Sequence, residues 1–445
     1  MLEKINELIK NKDFVKLKKQ ILDLNEVDIA QIIETIEDNG ERIKVFRLLP
    51  KDIAADVFPN LDLDIQQEII VSLLAKEAAD ILDNLYSDDA VDLLEEMPAN
   101  VVTKLLANTN KETRMGINFL LKYPVNSAGS IMNIDFLELK EHLTVEGAIE
   151  KIRKDGREKE IIDVCFLVDK SRKLLGTVQL KDLLFNDPHI SINSIMDDKL
   201  IYAYTYDDQE EVASRFSKYD LTAMPVVDTE KRLVGIITID DVVDILQQEA
   251  TEDIEKMAAI SPSDKPYMKT GVLETWKKRI PWLLLLMISA TFTGQIIKNY
   301  EAALASYVVL TAFIPMFMDT GGNAGGQASV TIIRGISLNE IQLKDVFKVM
   351  WKEFRVAILT GLTLASANFL KLMYIDRVDM AIAFIVCSTL MITILIAKTV
   401  GCTLPMVAKK IGFDPAVMAS PFITTIVDAI SLFAYFNIAK LILGI

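Results

Sequence analysis

The segment from Phe413 to Ile445, FDPAVMASPFITTIVDAISLFAYFNIAKLILGI, limits what this chain can fold into more than any other. Between Pro415 and Ala439 it carries one charge, Asp428, near its middle. As a helix that stretch is roughly 37 Å long at 1.5 Å per residue, enough to cross a ~30 Å hydrocarbon core. A carboxylate at that depth is costly, so it faces a bundle interior or a water path and marks an ion or proton route. The plainer alternative is a packing Asp satisfied by a neighbouring Ser or Thr.

The rest of the chain is not apolar in the same way. Residues 266–445 hold 16 Lys+Arg and 10 Asp+Glu, a net of +6. Residues 1–265 then hold 32 and 53, a net of −21. An acidic soluble half argues against nucleic acid and for cations as partners. Cys165, Cys387 and Cys402 have no metal or disulfide spacing. With His142 and His189 as the only histidines, any metal must be held by oxygen, which favours hard cations such as Mg²⁺ or Ca²⁺. The opening MLEKINELIKNKDF has no apolar core of a signal peptide, so none is expected.

Short helical segments recur over residues 1–127, at Asp28, Asp52, Glu77 and Asp89, spaced 24, 25 and 12 residues apart. That period predicts stacked helical hairpins. Leu49-Pro50 and Met97-Pro98 mark helix ends. Asp88 and Asp92 fall on one helix face. Two αβ units follow, 128–187 and 188–247. Asp169, Gly176 and Asp182 recur as Asp228, Gly235 and Asp241 at a constant offset of 59. Each unit reads as strand, turn, strand, helix and is preceded by an Ile-Met turn, Ile131-Met132 and Ile195-Met196. The pattern resembles a pair of CBS (cystathionine-β-synthase) domains, clearer in the second copy. Such pairs regulate an attached domain, and some bind adenine nucleotides. Residues 248–272 form an acidic connector, predicted as a helix broken by Pro262 and Pro266.

Five apolar spans fit residues 273–445: 281–298, 303–334, 355–374, 380–402 and 416–443. With the N-terminus inside, the inner segments hold Lys277, Lys278, Arg279, Lys344, Lys348, Lys352, Lys409 and Lys410. The outer loops hold Lys298 and Arg377, with Lys371 near. This bias predicts a cytoplasmic soluble half and an external C-terminus. The second span contains four glycines from Gly321 to Gly326, which predicts an interrupted helix with freed carbonyls. Close packing of helices through small residues is compatible with that.

Pro315-x-x-x-Asp319-x-Gly321-Gly322-Asn323-Ala324-Gly325, with Gln327, resembles a signature of the MgtE-type magnesium channel family. Asp414-Pro415-Ala416, Pro421, Thr424-Thr425 and Asp428 resemble its last helix. The resemblance covers nearly the whole chain. It implies a multidomain membrane protein: an α-helical, solenoid-like N-domain (1–127), an α/β CBS pair (128–187, 188–247), a connecting plug helix (248–272) and a five-helix transmembrane pore domain (273–445). It implies a homodimeric Mg²⁺ channel of the cell membrane, closed by cytosolic Mg²⁺, and no enzyme. The pore aspartate falls on Asp428, with Asp414 near the cytoplasmic mouth. The sensing acids fall on Asp208, Glu210, Asp220, Asp241, Asp244, Glu249, Glu252 and Asp253, with Asp88 and Asp92 in the helical domain. A family Glu in that domain falls on or near Asp56. The chemistry is consistent: Mg²⁺ sheds water reluctantly and takes one or two carboxylates, and a pore must release its ion. A broader Co²⁺, Mn²⁺ or Ca²⁺ carrier of the same architecture, or a membrane-anchored CBS nucleotide sensor, are the alternatives. The second predicts a catalytic constellation, and the sequence offers none.

Overall fold

The computed structural model describes residues 8, 9, 11, 13–95, 97–263, 267, 268, 270–418 and 420–444. The opening MLEKINE, Pro266 and Ile445 lie outside them. The chain divides into two units, Met1–Ile245 and Leu246–Ile445.

The first unit begins with short helices: α1 (Phe14–Ile21), α2 (Glu26–Glu34), α3 (Asn39–Phe46), α4 (Lys51–Val57), α5 (Leu63–Ser72), α6 (Ala75–Leu82), α7 (Ser87–Glu95), α8 (Ala99–Asn108) and α9 (Lys111–Leu120). Side chains cap several of them. Asn25 accepts from the Val27 amide at 3.0 Å and Asn110 from the Thr113 amide at 2.8 Å, each satisfying one orphan donor. Pro50 and Pro98 stand at the N-caps of α4 and α8.

Two three-stranded sheets follow. The first holds β1 (Glu138–Lys140), β2 (Val164–Val168) and β3 (Leu174–Gln179), with helices α10 (Val145–Asp155) and α11 (Leu180–Phe185). The second holds β4 (Ala203–Tyr204), β5 (Ala223–Val227) and β6 (Leu233–Thr238), with α12 (Gln209–Tyr219). In each, the first pair is parallel and the second antiparallel. The offset of 59 carries β2 and β3 onto β5 and β6 residue for residue, including the irregularity at Leu167/Val168 and Val226/Val227.

The Ile-Met turns exchange partners between the copies. A Cβ on Gly235 would meet Met132 Sδ at 2.6 Å, and one on Gly176 would meet Met196 Sδ at 2.9 Å. Each copy's turn therefore covers the other copy's glycine, where no larger residue fits. One hydrophobic core runs from the helical domain into the second sheet through Met132, Met224, Ile237 and Val242.

Helix α13 (Ile239–Met257) starts directly after β6 and ends at Met257, so the connecting helix continues the last CBS helix instead of starting at residue 248. The second unit then contains α14 (Val272–Asn299), α15 (Glu301–Ser306), α16 (Ile314–Ser337), α17 (Val346–Lys371), α18 (Met380–Lys410) and α19 (Ser420–Leu443). Four stretches of the described residues are long and apolar enough to cross a membrane: Val272–Asn299, Leu343–Asp376, Met380–Lys410 and Ala416–Leu443.

The expected interruption at Gly321–Gly326 is not there; α16 is one 24-residue helix through all four glycines. The reason is packing. A Cβ at Gly321 would stand 2.7 Å from Val427 Cγ1, at Gly322 2.7 Å from Thr424 Cγ2, and at Gly325 2.5 Å from Ile423 Cγ2, all on α19. At Gly401 of α18 it would run into the Gly325 carbonyl oxygen. The helical cost of glycine, about 1 kcal/mol each in water, is outweighed where small residues let backbones approach and broken backbone would go unsatisfied.

Candidate cation sites

The first unit holds a cleft of about 1320 Å³ lined by acids from three parts of the sequence. Asp56, Asp88 and Asp89 come from the helical domain, Asp135 and Glu160 from the first αβ unit, and Asp240, Asp241 and Asp244 from the start of α13. Asn133, fully buried, ties them together. Its backbone bridges to Ile236 of β6, with Asn133 N to Ile236 O at 2.7 Å. Its side-chain amide donates to Asp88 Oδ1 at 3.1 Å and Glu160 Oε2 at 3.0 Å. Its carbonyl oxygen accepts from Ser87 Oγ at 3.0 Å and the Asp135 amide at 2.6 Å. Thr238 Oγ1 donates to Asp241 Oδ2 at 2.7 Å.

Crowding leaves these carboxyls reluctant to ionise. Burial, then Asp241, holds Asp88 well above the ordinary carboxylate range. Burial, then Asp241, raises Asp89 to about 6; burial, then Asp240, raises Glu160 to about 8. Asp241 is raised to about 6, again by burial first. The donor set is all oxygen, and the cations lining the cleft are Arg157 and Lys159. No three acids among the described residues yet converge closely enough to hold a metal ion.

The cleft brings together Asp88, Asp241 and Asp244 of the sequence-derived set. Asp92 does not line it and keeps an exposed surface, yet burial, then Asp89, raises its carboxyl to about 7, so its oxygens sit beside the cluster while the rest of the residue faces outward. Asp208 and Asp220 stand at the two ends of α12. Asp208 caps the helix through the Glu210 amide at 2.9 Å, and Asp220 closes it at φ 52°. Glu210 lies in the first turn beside Asp208. Asp89, Asn133, Asp135, Glu160 and Asp240 were not singled out by sequence. Asp89 and Asp240 adjoin Asp88 and Asp241, which was the available signal; for Asn133 and Glu160 there was none.

In the second unit, Glu249, Glu252 and Asp253 lie along α13. Lys256 Nζ stands 2.6 Å from Asp414 Oδ2 and also pairs with Glu252. Asp414 Oδ1 accepts from the Ala416 amide at 2.7 Å. Burial, followed by Asp414, raises the Asp253 carboxyl to about 6.

Helix α16 has two faces. Gly321, Gly322 and Gly325 are buried against neighbouring helices. Asp319, Asn323 and Gln327, spaced four apart, line a groove of about 590 Å³ together with Thr360 and Thr363 of α17. Asp428 lies on α19, half-buried, and its Oδ1 is buried with no hydrogen-bond partner among the described residues. A satisfied packing Asp would have one, so the Ser/Thr alternative fails for this oxygen. A charge pair escaped the sequence reading: Glu353 of α17 and Lys398 of α18, 3.7 Å apart, both largely buried. Lys398 sits in an apolar run, and its partner falls outside every drawn span.

These features define a multi-helix membrane protein carrying an acidic helical domain and a CBS pair. The chain belongs to the MgtE family. The family model described as a divalent cation transporter matches residues 314–438, the MgtE intracellular N domain residues 24–126 and the CBS domain residues 192–248. The magnesium transporter MgtE of Thermus thermophilus is 33% identical over 99% of this chain and 98% of that protein. The one of Bacillus subtilis is 33% identical over 75% and 73%. Two solved structures resemble the soluble half. The soluble part of a magnesium transporter matches at 29% identity and TM-score 0.52, covering 56% of this chain and 98% of that one. The cytosolic domain of the Mg²⁺ channel MgtE in complex with ATP matches at 32% and 0.52, covering 55% and 100%.

Proposed function

We propose that this chain carries Mg²⁺ across the cell membrane, with Asp428 as the ion site of the pore. The observation that carries this reading is the unpartnered, half-buried Asp428 carboxylate in a membrane helix of an MgtE-family chain. Relatives named as magnesium transporters, one of them matching over nearly the full length, support the choice of ion. Asp319, Asn323 and Gln327 contribute a polar wall. That wall continues along α16 to exposed Thr331 and Arg334, and lipid is a poor cover for such a face. A second copy of the chain covers it better, which supports a homodimer; the 24-residue α16, counted with the four apolar stretches, gives five spans per protomer. Two Asp428 carboxylates then offer −2 to a hydrated ion, loose enough to release it.

The acidic half acts as the sensor, on the cytoplasmic side, with the C-terminus outside. At low Mg²⁺ the crowded cleft acids repel. Bridging ions draw Asp88 toward Asp241 and Asp244, and the second set, Glu249, Glu252, Asp253 and Asp414, conveys closure to the pore mouth. Asp92, Asp208, Glu210 and Asp220 supply further weak sites. Each site contributes about 2.7 kcal/mol at a hundredfold excess of ion over its dissociation constant. Two therefore cover the ~5.5 kcal/mol needed to move a two-state equilibrium from 1:99 to 99:1. The ATP complex of a relative supports an adenine nucleotide at the CBS pair.

Mg²⁺ flux into liposomes, with Co²⁺, Mn²⁺ and Ca²⁺ as competitors, tests the transport reading. Flux should follow Mg²⁺ and vanish in Asp428→Ala; normal flux in folded Asp428→Ala protein would sink it. Cysteine labelling tests the topology, and a His142 region reached from outside the cell would overturn it.

A further inference from the structure

Lys256 is the one basic residue between Gly235 and Ile260. Its ammonium lies where two carboxylates meet, Glu252 one turn back on α13 and Asp414 ahead of α19. Its side chain is 21% exposed. Asp414 is held for this contact, since its other oxygen is fixed by the Ala416 amide. Met257, the next residue, packs on Ile333 and Ala416, so the end of the helix is seated. Glu255 points elsewhere, accepting from the Ser263 amide at 2.8 Å.

An ammonium on a four-carbon stem supplies one charge and can swing away. A divalent ion supplies two charges and prefers carboxylate oxygens. Both compete for the same two acids. We propose that Lys256 is a tethered cation that fills the Asp414–Glu252 site at low Mg²⁺, and that a divalent ion entering this site must displace it. Lys256 thereby sets the ion concentration at which the site loads. What loading does to the pore rests on the sensor reading above; the displacement itself does not.

Two measurements on the full chain in nanodiscs test this. The first is Mn²⁺ binding followed by electron paramagnetic resonance. Lys256→Met should tighten one class of Mn²⁺ site by about tenfold, because a neighbouring positive charge is removed. Lys256→Arg should leave that class at its wild-type affinity, and adding Asp414→Asn to Lys256→Met should abolish the gain. A Lys256→Met isotherm equal to or weaker than wild type overturns the proposal. The second needs no variant: acylation of Lys256 in the wild-type protein, read by mass spectrometry, should rise as Mg²⁺ is added. Labelling that stays flat or falls overturns the proposal even where Lys256→Met does not fold. Failure of Mg²⁺ to close the wild-type pore would count against the sensor reading alone, since both readouts report binding without reference to flux.

Discussion

The two units treat charge in opposite ways. In the first, Asp88, Asp89, Glu160 and Asp241 share one cleft, where burial first and neighbouring acids second raise their pKa values, and one buried amide holds Asp88 and Glu160. In the second, the most deeply buried charges among the described residues are paired, Lys398 with Glu353, and Lys256 stands between Asp414 and Glu252. Asp428 stands apart from both, with a buried oxygen that has no hydrogen-bond partner among the described residues. Water around the first unit lets acids accumulate because protons or ions can relieve them. Hydrocarbon allows no such crowd, and a lone carboxylate there is costly, which is why the pore role proposed for Asp428 is the point at which to test the contrast.

The sharpest way to break this contrast is at Asp428. Asp428→Ala should reduce Mg²⁺ flux on the order of 100-fold or more while the protein stays folded, as liposome flux and size-exclusion profiles would read. Next is the Glu353–Lys398 pair. Removing one partner strands a buried charge, so Glu353→Ala or Lys398→Ala should each destabilise by about 3 kcal/mol. Replacing both, Glu353→Leu with Lys398→Met, should restore most of it. Thermal unfolding in detergent distinguishes the cases; a loss in the double variant equal to the sum of the two single losses would mean the pair is not coupled.

The acidic cleft predicts a pH effect of opposite character. A carboxyl whose pKa is raised on folding penalises the folded state once pH exceeds the unfolded value, up to the folded one. For Glu160 that window runs from about 4.5 to about 8; for Asp89 and Asp241 it runs from 3.8 to about 6. Without divalent ions the cleft region should therefore lose stability as pH rises from 5 to 8, by roughly 5 °C in melting temperature. Saturating Mg²⁺ should flatten that slope, as scanning calorimetry in nanodiscs would show; a slope unchanged by Mg²⁺ would argue that ions do not replace protons there. Smallest is Asn133→Ala, which strips one amide donor each from Asp88 and Glu160. About 1–2 kcal/mol should be lost, visible as faster hydrogen exchange in β6 and α7.

Much of this fold was legible because its signals are short-range or repeated. The offset of 59 placed β5 and β6 from β2 and β3, and Pro50 and Pro98 marked helix boundaries. The glycine run misled because its effect depends on neighbours far away in sequence, Val427, Thr424 and Ala397 among them. The same limit hid Glu160, which meets Asp88 only through Asn133, and Glu353, which meets Lys398 across two helices. Asp428 was conspicuous in sequence because a lone charge in an apolar run needs no partner to be seen.

The exchanged methionines bear on how the chain is made. Met132 leaves the ribosome 103 residues ahead of Gly235, the position it must cover. At about 5–20 residues per second that is a delay of roughly 5–20 s. Gly176 waits only for Met196, synthesised 20 residues later. The first copy can thus be sealed during synthesis, while its own leading turn stays open until the second copy emerges. A chain stalled between the two copies would hold Met132 without the glycine it covers.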